Sequence, residues 1–495
     1  MNHNSISLDG SSLNINTLSA IAFGCELQIE QASIDRMQRT NLLMLEAAHS
    51  GKPVYGVTTA LGPQLGTVLS ADQINEFALK TVRGRAHSVG KPMQRHLVRA
   101  AMAVRLNSLL TGASGASPAV ATHLLNCLNA DLVPRVGETA SVGAADLLWG
   151  GCMALALIGE GRFLDNDKSS AVCMADMGIG PLILGPRDGL ALVSHSSFIA
   201  ALASMGVQAA NTVWNNAQMA AALTLEGFRG NLSPLDADVI AQRAQPGQAE
   251  SAQFLRQLLQ GSELNDLSNA RRLQDPLSIR NIVQVHGSVY ASIQSLEATL
   301  LDEINGASDN PVVLHERQEI ISGGGYLNPH LGTLLVAINH ALVQMAALTV
   351  SRSSRMMSTR FTELSIGLHA GSSGSVGLGA VTKVTEALFA EIAQLATPPP
   401  VYPPTQADSV EDCITHSAIS AKALLRITEK MNVITAFEMI AAVHAIYLRG
   451  VEDKVAPSLQ ATVAKIRSLS PALTEDRSVT AELEQLAAML SRGEL

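Results

Sequence analysis

Seven apolar residues, Ile282, Val285, Val289, Ile293, Leu296, Leu300 and Ile304, step along the chain by three or four. That spacing marks one face of an α-helix and predicts about six unbroken turns. Comparable stretches run from Gly189 to Phe228, from Pro329 to Ser351 and from Ser409 to Arg449. Such helices exceed the globular average of roughly 11–12 residues and suit a long-helix bundle, in which each member buries more than one side. Apolar residues make up 47% of the 495-residue chain and aromatics only 3%, so aliphatic side chains must build these faces. The first 187 residues read differently. Short helical runs alternate there with Gly-, Ser-, Thr- and Pro-rich loops at 53–67, 111–118 and 134–151. We therefore predict a mainly α fold, with an irregular N-terminal part over 1–187 carrying site loops and a long-helix bundle with C-terminal helices over 188–495.

Composition removes several classes of function. The 34 basic and 43 acidic residues give a formal charge of −9 without a Lys/Arg cluster, which argues against nucleic acid and against an anionic membrane surface. Mean hydropathy is high at +0.20. The best membrane-spanning candidate, 331–350, is interrupted by Asn339, His340 and Gln344, and reads as a core helix. The opening Met1-Asn2-His3-Asn4-Ser5 shows no secretory pattern, and Cys25, Cys127, Cys152, Cys173 and Cys413 form neither a CxxC pair nor a Cys/His metal spacing. A reduced, cytoplasmic, metal-free protein is the simplest expectation.

Few residues suggest chemistry singly. Tyr55 lies in Val54-Tyr55-Gly56-Val57-Thr58-Thr59, before a Gly-rich loop. A tyrosine there can act as a general base when nearby cations or helix N-termini favour its anion, although by itself it reads first as a loop-packing residue. Arg280, at the end of Gln274-Asp275-Pro276-Leu277-Ser278-Ile279-Arg280, suits a carboxylate or a structural ion pair. Ser308-Asp309-Asn310-Pro311 reads as a turn, and Glu411-Asp412 as the opening of a helix. Lys383 lies in a moderately apolar helix over 381–392, where a lone lysine normally reaches solvent.

In order, these segments carry more. The chain resembles the histidine and aromatic amino-acid ammonia-lyase family over nearly its whole length. The likeness runs through Val54 to Thr59, His87-Ser88-Val89-Gly90, Ser141-Val142-Gly143-Ala144, Leu157 to Gly161, Asp188 to Leu192, Gln274-Asp275-Pro276 with Arg280, Ser308 to Pro311, Ser322-Gly323-Gly324 and Glu411-Asp412. The resemblance implies a histidase-like helical fold and a homotetramer with active sites assembled from three subunits. It also implies roles: Tyr55 as the β-proton base, Arg280 as the carboxylate clamp, Asn310 as a substrate-orienting amide, His87 against the substrate side chain, and Glu411 as a carboxylate of the pocket.

Departures from the family are equally informative. Its Ala-Ser-Gly triplet, which cyclises to a methylidene-imidazolone that captures the substrate amine, is replaced here by Ala144-Ala145-Asp146. Without the serine no hydroxyl is available for elimination, and without the glycine the tight backbone approach is disfavoured. A second such triplet, Ala113-Ser114-Gly115, falls in an ordinary loop between helices. Ser194 stands for a family Asn, Leu277 for a Tyr, Gly325-Tyr326-Leu327 for Asn-Phe-His, Val410 for a Gln, and Lys383 for another Gln. The base, the clamp and the acid remain, whereas residues serving the electrophile and the amine are gone.

A substrate that already carries a good leaving group needs no electrophile. A trimethylammonium leaves as neutral trimethylamine, so the betaine of an aromatic amino acid fits. The family branch most like this chain is the ergothionase branch, which eliminates trimethylamine from ergothioneine to give thiourocanate. On that reading Lys383 and Glu411 hold the thioimidazole ring, no cofactor is required, and Tyr326 or one of a few Phe residues is the candidate aromatic for the cation. Asp146 either faces the cation or caps a loop. The alternatives are a lyase or aminomutase for another N-activated amino acid, and a non-catalytic family member.

Overall fold

The computed structural model describes residues 5–50 and 53–495. Helices hold 61% of the chain, and the described strands form three short two-stranded pairs, so the fold is mainly α as the periodicity predicts. The seven-residue repeat forms the helix Ile282–Asn305, with every repeat position buried except Val285, which is half-buried.

Two other helices start later than the pattern implies. The 189–228 stretch is two helices, Asp188–Val193 and Ser197–Phe228, because Ser194 leaves helical geometry at φ −97° and ψ 90°. The next carbonyl, His195 O, accepts the Asp146 amide at 2.6 Å, a partner from a distant segment. The 409–449 stretch becomes helical only at Ser417. His416 is left-handed at φ 50° and donates its amide to Val142 O at 3.0 Å, which corrects the expectation that Glu411-Asp412 opens this helix.

Three stretches, Asp188–Phe228, Pro329–Met356 and Ser417–Arg449, are long and apolar enough to cross a membrane by length and composition. The 331–350 region, with its polar residues at 339, 340 and 344, lies in the second of these. In the most apolar windows 94%, 50% and 83% of the residues are buried inside the protein, so the first and third face mainly other protein atoms and the second does so over half of its window.

The chain divides into two compact units. The first comprises the residues up to Met205, Glu297–Leu335 and Pro399–Lys422; the second comprises Gly206–Leu296, Val336–Pro398 and Ala423–Leu495. In the first, the helix Arg95–Leu110 is buried on nearly every side. Its polar residues tolerate this because each has partners: Arg99 donates to Ile21 O and Leu128 O, Asn107 to Ile304 O, and Arg105 to Asp309. The helix Ala71–Arg83 begins with a capping box between Ser70 and Gln73 and stops at Gly84, which delivers Arg85 and His87 to a loop.

The second unit has its own core, including Leu223, Phe228, Leu255, Ile282, Phe437, Ile440, Leu459 and Ile466. A fully buried ion pair crosses it. Arg352 Nη2 donates to Glu438 Oε2 at 2.8 Å, while Thr224 Oγ1 donates to Oε1 at 2.8 Å. Bidentate geometry and the extra hydroxyl compensate the buried charges.

Candidate active site

Tyr55 sits in a compact turn. Val54 O accepts the amides of Val57 and Thr58 at 3.1 and 3.0 Å, and Gly56 takes φ +67° with the Leu61 side chain packed where a Cβ would point. Only glycine fits there without strain. The turn leaves Tyr55 half-buried, with its hydroxyl accepting the Gly62 amide at 3.4 Å. Beside it lies a cavity of about 310 Å³ lined by Ala60, Leu61, Thr67, Phe77, Lys80 and Arg85.

Arg85 was not among the residues singled out from sequence. Burial pushes its pKa down, and the charges of Tyr55 and Glu411 push it back up, so these two acidic groups lie within electrostatic reach of one guanidinium. Burial likewise raises the Glu411 carboxyl above its ordinary value, and Arg85 opposes that. The only available signal was the position of Arg85 two residues before His87. His87 itself is exposed, with its amide donating to Arg85 O at 2.9 Å.

Glu411 arrives on a loop anchored to the 142–146 segment. Thr415 Oγ1 donates to Gly143 O at 3.0 Å, next to the bond between His416 and Val142. A third segment joins them: Ala144 bridges Leu327, and the Ala145 amide donates to Tyr326 O at 3.3 Å. Tyr326 is half-buried. Ala145 is left-handed at φ 56°, which costs a residue with a Cβ about 1–2 kcal/mol.

Asp146 is fully buried, and its Oδ2 accepts the Ile199 amide at 3.0 Å. Desolvation pushes its pKa up to about 7, and Glu303 adds to this, although the Ile199 and Phe198 amides and the Ser141 hydroxyl pull it down. Of the two sequence readings for Asp146, the geometry is that of a cap on the first turn of Ser197–Phe228. Ser194 lies half-buried at the break that precedes this helix.

Asn310 is half-buried, and its Oδ1 accepts the Gly323 amide at 3.0 Å. Behind it, Asp309 is fully buried and takes Arg105 Nη1 and Nη2 at 2.9 and 2.8 Å. Arg187 approaches the same carboxylate at 3.6 Å and donates to Asn310 O at 3.3 Å. Two buried cations thus fix the backbone that presents Asn310.

Tyr55, His87, Asp146, Ser194, Asn310, Tyr326 and Glu411 all belong to the first unit, whereas Arg280 and Lys383 belong to the second. Arg280 is half-buried, donates to Gln274 Oε1 at 2.6 Å, and lines a cavity of about 330 Å³ with Asn231, Leu273, Gln274, Asp275 and Asn281. Lys383 is exposed in the first turn of the helix Thr382–Leu395. Among the described residues no group of three or more His, Cys, Asp or Glu side chains is placed to hold a metal ion.

The aromatic amino acid lyase family profile matches residues 13–468. This chain belongs to that family. It is 29% identical to a histidine ammonia-lyase of Shouchella clausii over 490 residues, covering 98% of each chain. Its structure is similar to that of an ergothionase from Treponema denticola in complex with desmethyl-ergothioneine sulfonic acid, with TM-score 0.93, 25% identity and 99% of each chain covered. It is also similar to a tyrosine aminomutase from Streptomyces globisporus, with TM-score 0.90, 28% identity and 99% and 97% of the two chains covered. As a member of the family, the protein is a carbon–nitrogen lyase that acts on a small molecule.

The family's methylidene-imidazolone does not fit this lyase. Ala145 supplies no hydroxyl for the elimination that would complete the ring, and Asp146 places a buried, hydrogen-bonded carboxyl where the ring-closing glycine would stand. The other triplet is held in an ordinary turn. Ala113 O accepts the Val313 amide at 2.8 Å, and the Gly115 amide, which would have to attack that carbonyl carbon, donates to Gly112 O at 3.2 Å.

Proposed function

We propose that this lyase eliminates trimethylamine from ergothioneine to give thiourocanate, and does so without a methylidene-imidazolone. The observation that carries the reading is the 144–146 segment. Where the family builds an amine-capturing electrophile no residue of this chain can, while the base Tyr55 and the acid Glu411 are kept, so the substrate must bring its own leaving group. The likeness to the Treponema denticola ergothionase supports the same substrate class.

In the proposed reaction the Tyr55 oxygen takes the proton from Cβ. The electrons of that C–H bond form the Cα=Cβ double bond, and the Cα–N bond breaks with its pair leaving on nitrogen. Trimethylamine departs neutral, so no proton has to be delivered to it. Negative charge spreads into the thioimidazole ring as the proton leaves, and Lys383 and Glu411 hold that ring. A charged donor stabilises such charge about twice as well as a neutral amide. Arg280 holds the carboxylate through its planar fork. Asn310, His87 and Ser194 line the substrate, and Tyr326 offers a ring face to the cation. Asp146 we assign to holding the segment in place, on the strength of its burial and its bond to Ile199. The oligomer is a homotetramer with active sites shared between subunits.

Ergothioneine, histidine, phenylalanine and tyrosine, each incubated with the purified protein, test this. A new near-ultraviolet band with ergothioneine alone, accompanied by free trimethylamine and lost in Tyr55→Phe, is the expected result. Turnover of a control without turnover of ergothioneine would replace the reading with an ordinary ammonia-lyase or aminomutase, as the names of the relatives in sequence suggest. Silence with all four would favour another N-activated substrate or a binding role.

A further inference from the structure

His87 is exposed, and its place is set by the backbone on either side of it. Before it, the backbone of Arg85 and Ala86 lies directly on the helix Leu147–Leu157 at Gly151, where a Cβ would fall 2.9 Å from Ala86 N. After it comes Ser88, which is half-buried. The Ser88 Oγ accepts the Gly137 amide at 2.8 Å and the Cys152 thiol at 3.3 Å. Gly137 is held from its other side as well, because its carbonyl accepts Trp149 Nε1 at 2.9 Å.

These partners flank the segment that replaces the family's triplet. Gly137 opens the strand Gly137–Thr139, which leads into 141–146, and Trp149, Gly151 and Cys152 belong to the helix that leaves it. One serine oxygen therefore touches both ends of that segment, from a position next to His87. Apolar burial contributes little to this anchoring. The strand Val89–Pro92, which continues from Ser88 and pairs with Gly137–Thr139, is exposed at all four positions. Its register also shifts between the Val89–Thr139 and Pro92–Gly137 pairs, so the ladder is irregular where Ser88 enters it. The side-chain bonds of Ser88 are what ties the loop down there.

We propose that Ser88 is a positioning residue that sets His87 against the 144–146 segment and thereby the fit of the substrate side chain. The proposal rests on the reading of His87 as a substrate-lining residue and deepens it. A hydroxyl suits the task because its oxygen has two lone pairs, one for an amide and one for a thiol. Alanine would leave the half-buried Gly137 amide without its acceptor.

The test uses the full-length enzyme with Ser88→Ala, Ser88→Thr and His87→Ala, and with Ser88→Ala and His87→Ala combined. Amide hydrogen exchange over 85–90 and at Gly137 should accelerate about tenfold in Ser88→Ala and stay near native in Ser88→Thr, which keeps the hydroxyl. With turnover, Ser88→Ala should raise KM about five- to tenfold with kcat changed by less than about twofold, and Ser88→Thr should recover most of that loss. Added to His87→Ala, it should raise KM little further, because the two residues act as one unit. Native exchange in Ser88→Ala would overturn the proposal. So would a KM loss of the same size with and without His87, which is what a merely structural serine gives. Native KM in His87→Ala would overturn the reading of His87, and this proposal with it. The exchange arm needs no substrate, so it separates failure of this proposal from failure of ergothioneine as the substrate.

Discussion

The carboxylate of Asp146 and the amide of Ile199 meet at 3.0 Å inside the first turn of the helix Ser197–Phe228. One bond thereby ties the segment that replaces the family's triplet to the start of a long helix. The same bond satisfies one of the amides that a helix N-terminus leaves without an intrahelical partner.

Burial gives this bond a pH signature. The folded pKa of Asp146 lies near 7, above its ordinary 3.8, so between these values the folded chain holds a proton that the unfolded chain has lost. Stability from this group is therefore present below about pH 4 and is lost as pH rises to about 7. Asp146→Asn keeps the acceptor for Ile199 and removes the titration. Relative to the native protein it should gain on the order of 2–4 kcal/mol between pH 4 and pH 8. Unfolding curves of both proteins at the two pH values check this, and parallel pH dependence would refute it.

Asp309 faces two cations, pairing Arg105 at 2.8 Å and approaching Arg187 at 3.6 Å. Asp309→Ala should cost about 3–5 kcal/mol, because it leaves the buried Arg105 without its carboxylate and weakens the compensation of Arg187. It should also lower turnover by releasing the backbone before Asn310. Arg105→Met combined with Asp309→Leu should recover part of the stability but not the activity, as thermal melts and rate assays on the same preparations would show.

Gly143 holds the Glu411 loop by close approach. It has φ +83°, and a Cβ there would fall 2.9 Å from His416 N and 3.2 Å from Ser417 N. Gly143→Ala should destabilise by about 1–3 kcal/mol, and the loop should detach before the core does. Limited proteolysis is the measurement: cleavage within 398–416 should accelerate more than cleavage elsewhere.

Glu411 is half-buried, and its pKa is raised by desolvation against the pull of Arg85. If it works as an anion, kcat/KM should fall on the acid side with a midpoint above the ordinary carboxylate value. Glu411→Gln should flatten that limb and lower kcat by roughly a hundredfold. An acid limb that persists unchanged in the variant would assign the titration to another group.

Part of this architecture was legible in the order of residues. A three-and-four apolar step depends only on helical pitch, so Ile282–Asn305 and Pro329–Met356 could be read directly. Pro329–Met356 merely runs on past Ser351 to Met356. The family blocks and the loss of the triplet serine were equally local, because they concern which side chains exist. The starts of two long helices were not legible. Ser417, rather than Ser409, begins the last one because Val142 and Gly143 take the hydrogen bonds of His416 and Thr415. Composition around Glu411 says nothing of partners about 270 residues away in sequence.

The sequence by itself determined the helical class, the family, and the absence of a serine where an electrophile would be made. Tertiary structure decided which groups share an electric field. Arg85 drew no reading from the sequence, and Asp146 read as either a ligand for a cation or a cap. Burial and distant partners chose between such readings, because a charge is defined by the dielectric and the counter-charges that folding brings around it.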